Sequence, residues 1–144
     1  MTADELQEFV NVRPFLTWLG IKVLAIGDDT LEARATWRPE WVTSPTLMQT
    51  HGGILAALID FAADFSLVRQ MGGPVPTVDI RVDYHRLAKP GDLIVKGRVI
   101  KLGKQFSTCE AQIYDLAGAL IASGRGTFIT SPTPSVGDVT KKPV

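Results

Sequence analysis

The stretch from His51 to Met71 constrains this chain more than any other. From Ile54 to Phe65 it is almost entirely apolar, and the apolar positions of the whole stretch cover nearly the circumference of a helix. A helix buried on every side needs a curved sheet wrapped around it. Gly72-Gly73-Pro74 ends it, with glycine past the end and proline just beyond. Two acids, Asp60 and Asp64, sit inside it one turn apart. Aspartate is a poor helix-interior residue, and a lone buried charge is costly unless it is paired or its pKa moves. Something other than packing is expected to keep an acid there. The two acids share a helix face, so burial together should push one pKa upward and suit it to proton transfer.

The flanking segments supply the sheet. Ala3 to Leu19 reads as a helix, with a break or a second short helix at Pro14 and a stop at Gly20. Ile21–Ile26 and Thr30–Trp37 read as strands joined by Gly27-Asp28-Asp29. Arg38 to Thr50 is an irregular loop. From Thr77 to His85 the chain alternates, with Val78, Ile80, Val82 and Tyr84 on one face and Thr77, Asp79, Arg81, Asp83 and His85 on the other. Strands follow at Asp92–Lys101, Gln105–Tyr114 and Leu120–Ile129, with connections short enough to make them antiparallel. Residues 1–130 thus form one domain with an N-terminal helix. Residues 131–144, with Pro132, Pro134, Gly137 and Pro143, read as a flexible tail.

Lysine plus arginine and aspartate plus glutamate each total 15, so the net charge is zero. Nothing pulls the chain as a whole toward nucleic acid or an anionic membrane. A single cysteine, Cys109, excludes an internal disulfide framework and reads as a packed small hydrophobe. With two histidines beside it, no metal site is expected. The N-terminus lacks a basic segment followed by an apolar one, so a cytoplasmic protein is expected.

The element order, with His51-Gly52-Gly53 opening the buried helix and Asp60 nine residues after His51, resembles the hotdog-fold acyl-CoA thioesterases, above all the phenylacetate-pathway type. Tyr84-His85-Arg86-Leu87-Ala88 before Pro90-Gly91-Asp92, and Gly118-Ala119-Leu120-Ile121-Ala122, extend the likeness over residues 15 to 130. The resemblance implies an α+β hotdog fold, an antiparallel sheet around a long central helix. It implies that Gly52 donates its N–H to a thioester carbonyl and that Asp60 is nucleophile or general base. Thr77 takes the place of a hydroxyl that holds the attacking water. No cofactor is implied beyond the coenzyme A of the substrate. Pro45 and Met48 depart from an asparagine and a glycine usual in the family, which leaves Ser44, Thr46 and Gln49 as candidate polar partners of the carbonyl or water. Asp64 is a further departure, at a place usually small or hydroxylated.

On chemical grounds a helix start offers unpaired N–H groups and positive potential, and glycine lets a carbonyl approach. Gly52 and Gly53 together are expected to form an oxyanion site. Asp60 lies about 12 Å further along the axis at about 1.5 Å per residue, so one carbonyl cannot meet both within one chain. A second copy must supply the acid, in a homodimer or a dimer of dimers.

His51 reads as a helix-start residue bonding to backbone, with direct catalysis as the alternative. Asp60 has a salt bridge to Arg81 as its alternative, and Asp64 is either a site acid or an interface residue. Arg86, Lys101 and Lys104 are the candidate contacts for the phosphates of coenzyme A, and Trp37, Trp41, Met48 and Phe65 for the acyl group, with core packing as the alternative. The rival functions are a hotdog dehydratase or hydratase and a non-catalytic acyl-CoA binding module. The first is disfavoured because the helix carries no second histidine.

Overall fold

The computed structural model describes residues 1–132, so most of the expected tail lies outside the described residues. Helices α1 (Ala3–Asn11) and α2 (Pro14–Trp18) are split at Pro14 as expected, and α1 is closed by a capping box between Thr2 and Glu5. Strands β1 (Ile21–Ile26) and β2 (Thr30–Ala35) follow, then a single 3-10 turn at Pro39–Trp41. The central helix α3 (Gly52–Phe65) leads through a tight turn to α4 (Val68–Met71), and β3 (Thr77–Tyr84), β4 (Leu93–Lys101), β5 (Phe106–Asp115) and β6 (Leu120–Ile129) complete the chain. The strands form one antiparallel sheet in the order β1-β2-β4-β5-β6-β3.

The helix expected to run unbroken to Met71 is interrupted after Phe65. The Leu67 N–H reaches back only three residues, to Asp64 O at 3.0 Å, which tightens the last turn and redirects the chain. Gly72, at φ 76°, closes α4 in the left-handed conformation that glycine tolerates.

Leu55, Leu58, Ile59, Ala62 and Phe65 of α3 are buried against β4, β5 and β6. Each large apolar side chain so covered contributes about 2 kcal/mol. Gly97 lets the helix come this close: a β-carbon there would collide with the carbonyl of Ala62. Asp92, in the Gly91-Asp92 turn, is structural. Its carboxylate accepts from the Trp37 N–H at 2.7 Å and from Arg34 Nε at 2.8 Å, fastening the start of β4 to the end of β2.

The strand β3 departs from simple alternation. It lies at the sheet edge, and Val78 and Tyr84 are 52% and 55% exposed rather than buried. Its pairing with β6 slips between Thr77 and Asp79, so Val78 is an extra residue. Thr77 thereby comes opposite the buried Phe128 and shares its inward face, while Asp79 stays on the outer face.

Candidate active site

The start of α3 is held from two sides. The His51 N–H donates to Trp41 O at 2.7 Å and the Thr50 N–H to Ala88 O at 2.8 Å, tying in the loops before β3's successor strand and after β2. The His51 ring caps the helix, its Nδ1 accepting from the Gly53 N–H at 2.8 Å. His51 is therefore a backbone-bonding residue here. The bond corrects the two-glycine oxyanion site: the Gly53 donor is already taken. The Gly52 N–H meets no acceptor among the described residues. Tyr84 supports it from the other side, its hydroxyl donating to Gly52 O at 2.9 Å. A side chain at position 52 would stand 3.4 Å from the Tyr84 ring.

Two turns along the helix lie the acids. Asp60 is half-buried, and its Oδ1 accepts from the Thr77 hydroxyl at 2.7 Å. It makes no salt bridge with Arg81, which pairs with Asp83 at 3.2 Å. Asp64 is only 8% exposed, and its Oδ1 accepts from the Val75 N–H at 2.9 Å. Burial pushes the Asp64 carboxyl up to about 7; the Val75 N–H opposes the shift and the nearby Asp60 adds to it. The upward shift expected of a buried helix acid thus falls on Asp64. Cys109, fully buried on β5 and raised to about 11 chiefly by desolvation, is packed as expected.

The three candidate coenzyme A cations are not brought together. Arg86 follows β3 beside the start of β6, with its N–H on Ile121 O at 3.1 Å, in the loop that also holds Thr50. Lys101 and Lys104 sit at and beyond the far end of β4, a strand of 9 residues that runs roughly 27 Å at about 3.3 Å per residue. Nor do the four acyl-pocket candidates line one cavity. Trp41 and Phe65 belong to the core, Trp37 is partly buried against it, and Met48 lies exposed in the loop. In that loop Ser44 and Thr46 are turned toward each other at 3.3 Å, and Ser44 also accepts from the Leu47 N–H. The half-buried Gln49 amide has no partner among the described residues, which leaves it as the candidate next to Gly52. A cleft lined by Arg81, Asp83, Glu110, Ser123 and Arg125 lies on the sheet and includes neither Gly52 nor Asp60. Among the described residues, no three potential metal-ligating side chains cluster and no helix is long and apolar enough to cross a membrane.

Tyr84 and the Val75 N–H are the contributions that sequence reasoning missed. Nothing in a strand-end tyrosine signals its hydroxyl's target. Val75 did carry a signal: between Pro74 and Pro76 it is the one residue with an N–H to give.

The family model described as Thioesterase superfamily matches residues 49–122, just over half of the chain, from the loop before the helix to the start of β6. The chain belongs to the thioesterase superfamily. A superfamily protein of known X-ray structure is 46% identical, with a TM-score of 0.84 over 88% of this chain and 96% of that one. The proofreading thioesterase EntH of Cronobacter turicensis is 29% identical over 127 residues, which cover 87% of this chain and 90% of its own. The fold is shared with the E. coli PaaI protein from the phenylacetic acid degradation operon, at 19% identity and a TM-score of 0.78 over 90% and 94% of the two chains. The sheet around a central helix is accordingly the hotdog fold, and thioester hydrolysis is the general chemistry that superfamily membership supports.

Proposed function

We propose that this protein hydrolyses an acyl-CoA thioester to the free acid and coenzyme A, in sites shared between two copies of the chain. One observation carries the reading. A free N–H at the start of α3 and a hydroxyl-held carboxylate on the same helix are the two halves of a hydrolytic site, set about 12 Å apart at about 1.5 Å per residue. The Gly52 N–H of one protomer polarises the thioester carbonyl and stabilises the oxyanion as it forms. Asp60 of its partner takes a proton from water, whose oxygen bonds to the carbonyl carbon. The C–S bond then breaks, and the leaving thiolate recovers the proton from Asp60. The Thr77 hydroxyl donates to Asp60 Oδ1 and has lone pairs left to accept from the water. This division favours Asp60 as general base over nucleophile.

The edge strand β3 supports assembly, because its outer backbone groups and exposed Val78 offer a row for a second copy's β3 to continue the sheet. Arg86 would meet the nucleotide phosphates from the protomer that gives Gly52, and Lys101 and Lys104 can join it only from another. No cofactor or metal is required by this chemistry. Free-thiol release over a panel of aromatic and aliphatic acyl-CoAs, wild type beside Asp60→Asn, tests the reading. Release by wild type and its loss in Asp60→Asn are expected. Failure of wild type on every substrate would leave a binding module; full activity of Asp60→Asn would remove the assigned base.

A further inference from the structure

We propose that Asp64 is a positioning residue, which holds the Thr77 hydroxyl on Asp60 by gripping the Val75 N–H. The proposal rests on the reading of Asp60 as the reacting acid. The geometry is a two-rung ladder. Asp60 and Asp64 stand one turn apart on one face of α3, and Val75 and Thr77 stand two residues apart on the segment entering β3. One rung joins Asp60 to Thr77 at 2.7 Å, the other Asp64 to Val75 at 2.9 Å.

The second rung has no substitute. Pro74 and Pro76 have no N–H, so Val75 carries the single backbone donor in this segment. The side chain of Thr77 faces the helix only because the register slips at Val78, at the end of an edge strand, and besides this rung the segment is held by the packing of Val75 against the core. The Ile129 N–H on Pro76 O, at 2.9 Å, ties the segment to β6 but leaves its distance from α3 open. Asp64 sets that distance.

An acid in this place also makes the brace responsive to pH. Its own helix presents Asp60 and β5 presents Cys109, and among the described residues no basic side chain bears on it. With its carboxyl raised to about 7, chiefly by burial, it is neutral in mildly acidic solution and adds a second negative charge one turn from Asp60 in alkaline solution. The kcat of the wild type is therefore expected to show an inflection near neutrality.

Wild type, Asp64→Asn and Asp64→Ala are compared by thiol release from benzoyl-CoA and octanoyl-CoA, and by amide hydrogen exchange at Val75 without substrate. Asparagine keeps the Oδ1 acceptor, so Asp64→Asn should hold kcat within about threefold while losing the inflection. Alanine removes the acceptor. Asp64→Ala should lower kcat about tenfold with KM changed less than about twofold, and speed Val75 exchange by about tenfold or more. A loss in Asp64→Asn as deep as that of Asp60→Asn would make Asp64 a reacting acid and overturn the proposal. Unchanged kcat and Val75 exchange in Asp64→Ala would overturn it as well. If wild type releases no thiol from any acyl-CoA, the proposed activity falls, and Val75 exchange still decides whether the brace exists.

Discussion

The two ends of α3 are built on opposite plans. At the start, His51 and Gly53 are exposed, the Gly52 N–H meets no acceptor among the described residues, and the supporting contacts come from loops and from a tyrosine on the sheet edge. Toward the far end the helix is sunk in the core, and its polar groups are acids gripped by β3 and the segment before it. A helix naturally presents donors at its first turn and none along its middle. A polarising N–H therefore belongs at the start, while a side-chain acid can be installed anywhere along a face. On the proposed reading, one chain carries both kinds of chemistry without carrying a whole site.

Substitutions at each end test that division. The largest effects are expected from deleting one half at a time. Asp60→Asn should lower kcat by about a thousandfold. Gly52→Pro should lower it by roughly a hundredfold or more while leaving the fold intact. Proline is favoured at a first helical position, and His51, at φ −58° and ψ 137°, already has the extended backbone that precedes proline. Thiol release measures both, and an unchanged circular dichroism spectrum shows that the helix survives. If the site is shared, co-refolding the two variants in equal amounts should recover about a quarter of wild-type activity, because half the dimers are mixed and each has one intact site. No recovery would break the comparison at its root.

A smaller effect separates the buried end from the exposed one by stability. The Asp64 carboxyl loses its proton near its ordinary value of 3.8 in the unfolded chain and at about 7 in the folded one. Between these values only the folded state stays protonated, so stability falls as pH rises through the window and the full penalty stands above it. Asp64→Asn should therefore be more stable than wild type at pH 8, by at most ~4 kcal/mol, with the gain shrinking toward pH 4. Thermal melts across that range measure it. Smallest of all, Tyr84→Phe removes one hydrogen bond at the exposed end. It should change stability by about 1 kcal/mol or less and lower kcat a few-fold without altering its pH profile.

Much of the fold was legible because its strongest signals are local. An all-round apolar helix, strands in alternation and short connections lead to a wrapped antiparallel sheet by burial and chain reach alone. The strands agree with their expected positions within a few residues. The break after Phe65 was not legible, since it depends on a three-residue backbone bond that no apolar pattern encodes. The candidate site was legible in part. Asp60 stood out as an acid where packing wants none, and Gly52 as a glycine at a helix start. The Gly53 donor was misjudged, because only the ring orientation of His51 shows that it is occupied. Arg86, Lys101 and Lys104 look alike in sequence, yet the run of β4 separates them.

The sequence by itself determined which residues are buried together and where acids and helix-start donors occur, because periodicity and composition act over a few residues. The tertiary structure alone decided what those groups face. Thr77 belongs by alternation to the polar side of its strand, and a slip of one residue at Val78 turns it onto Asp60. Asp64 read equally as a site acid or an interface residue, and only the fold shows the Val75 N–H against it. A one-residue change of register inverts a side chain's direction, and nothing local to a strand records where its partner will begin to pair.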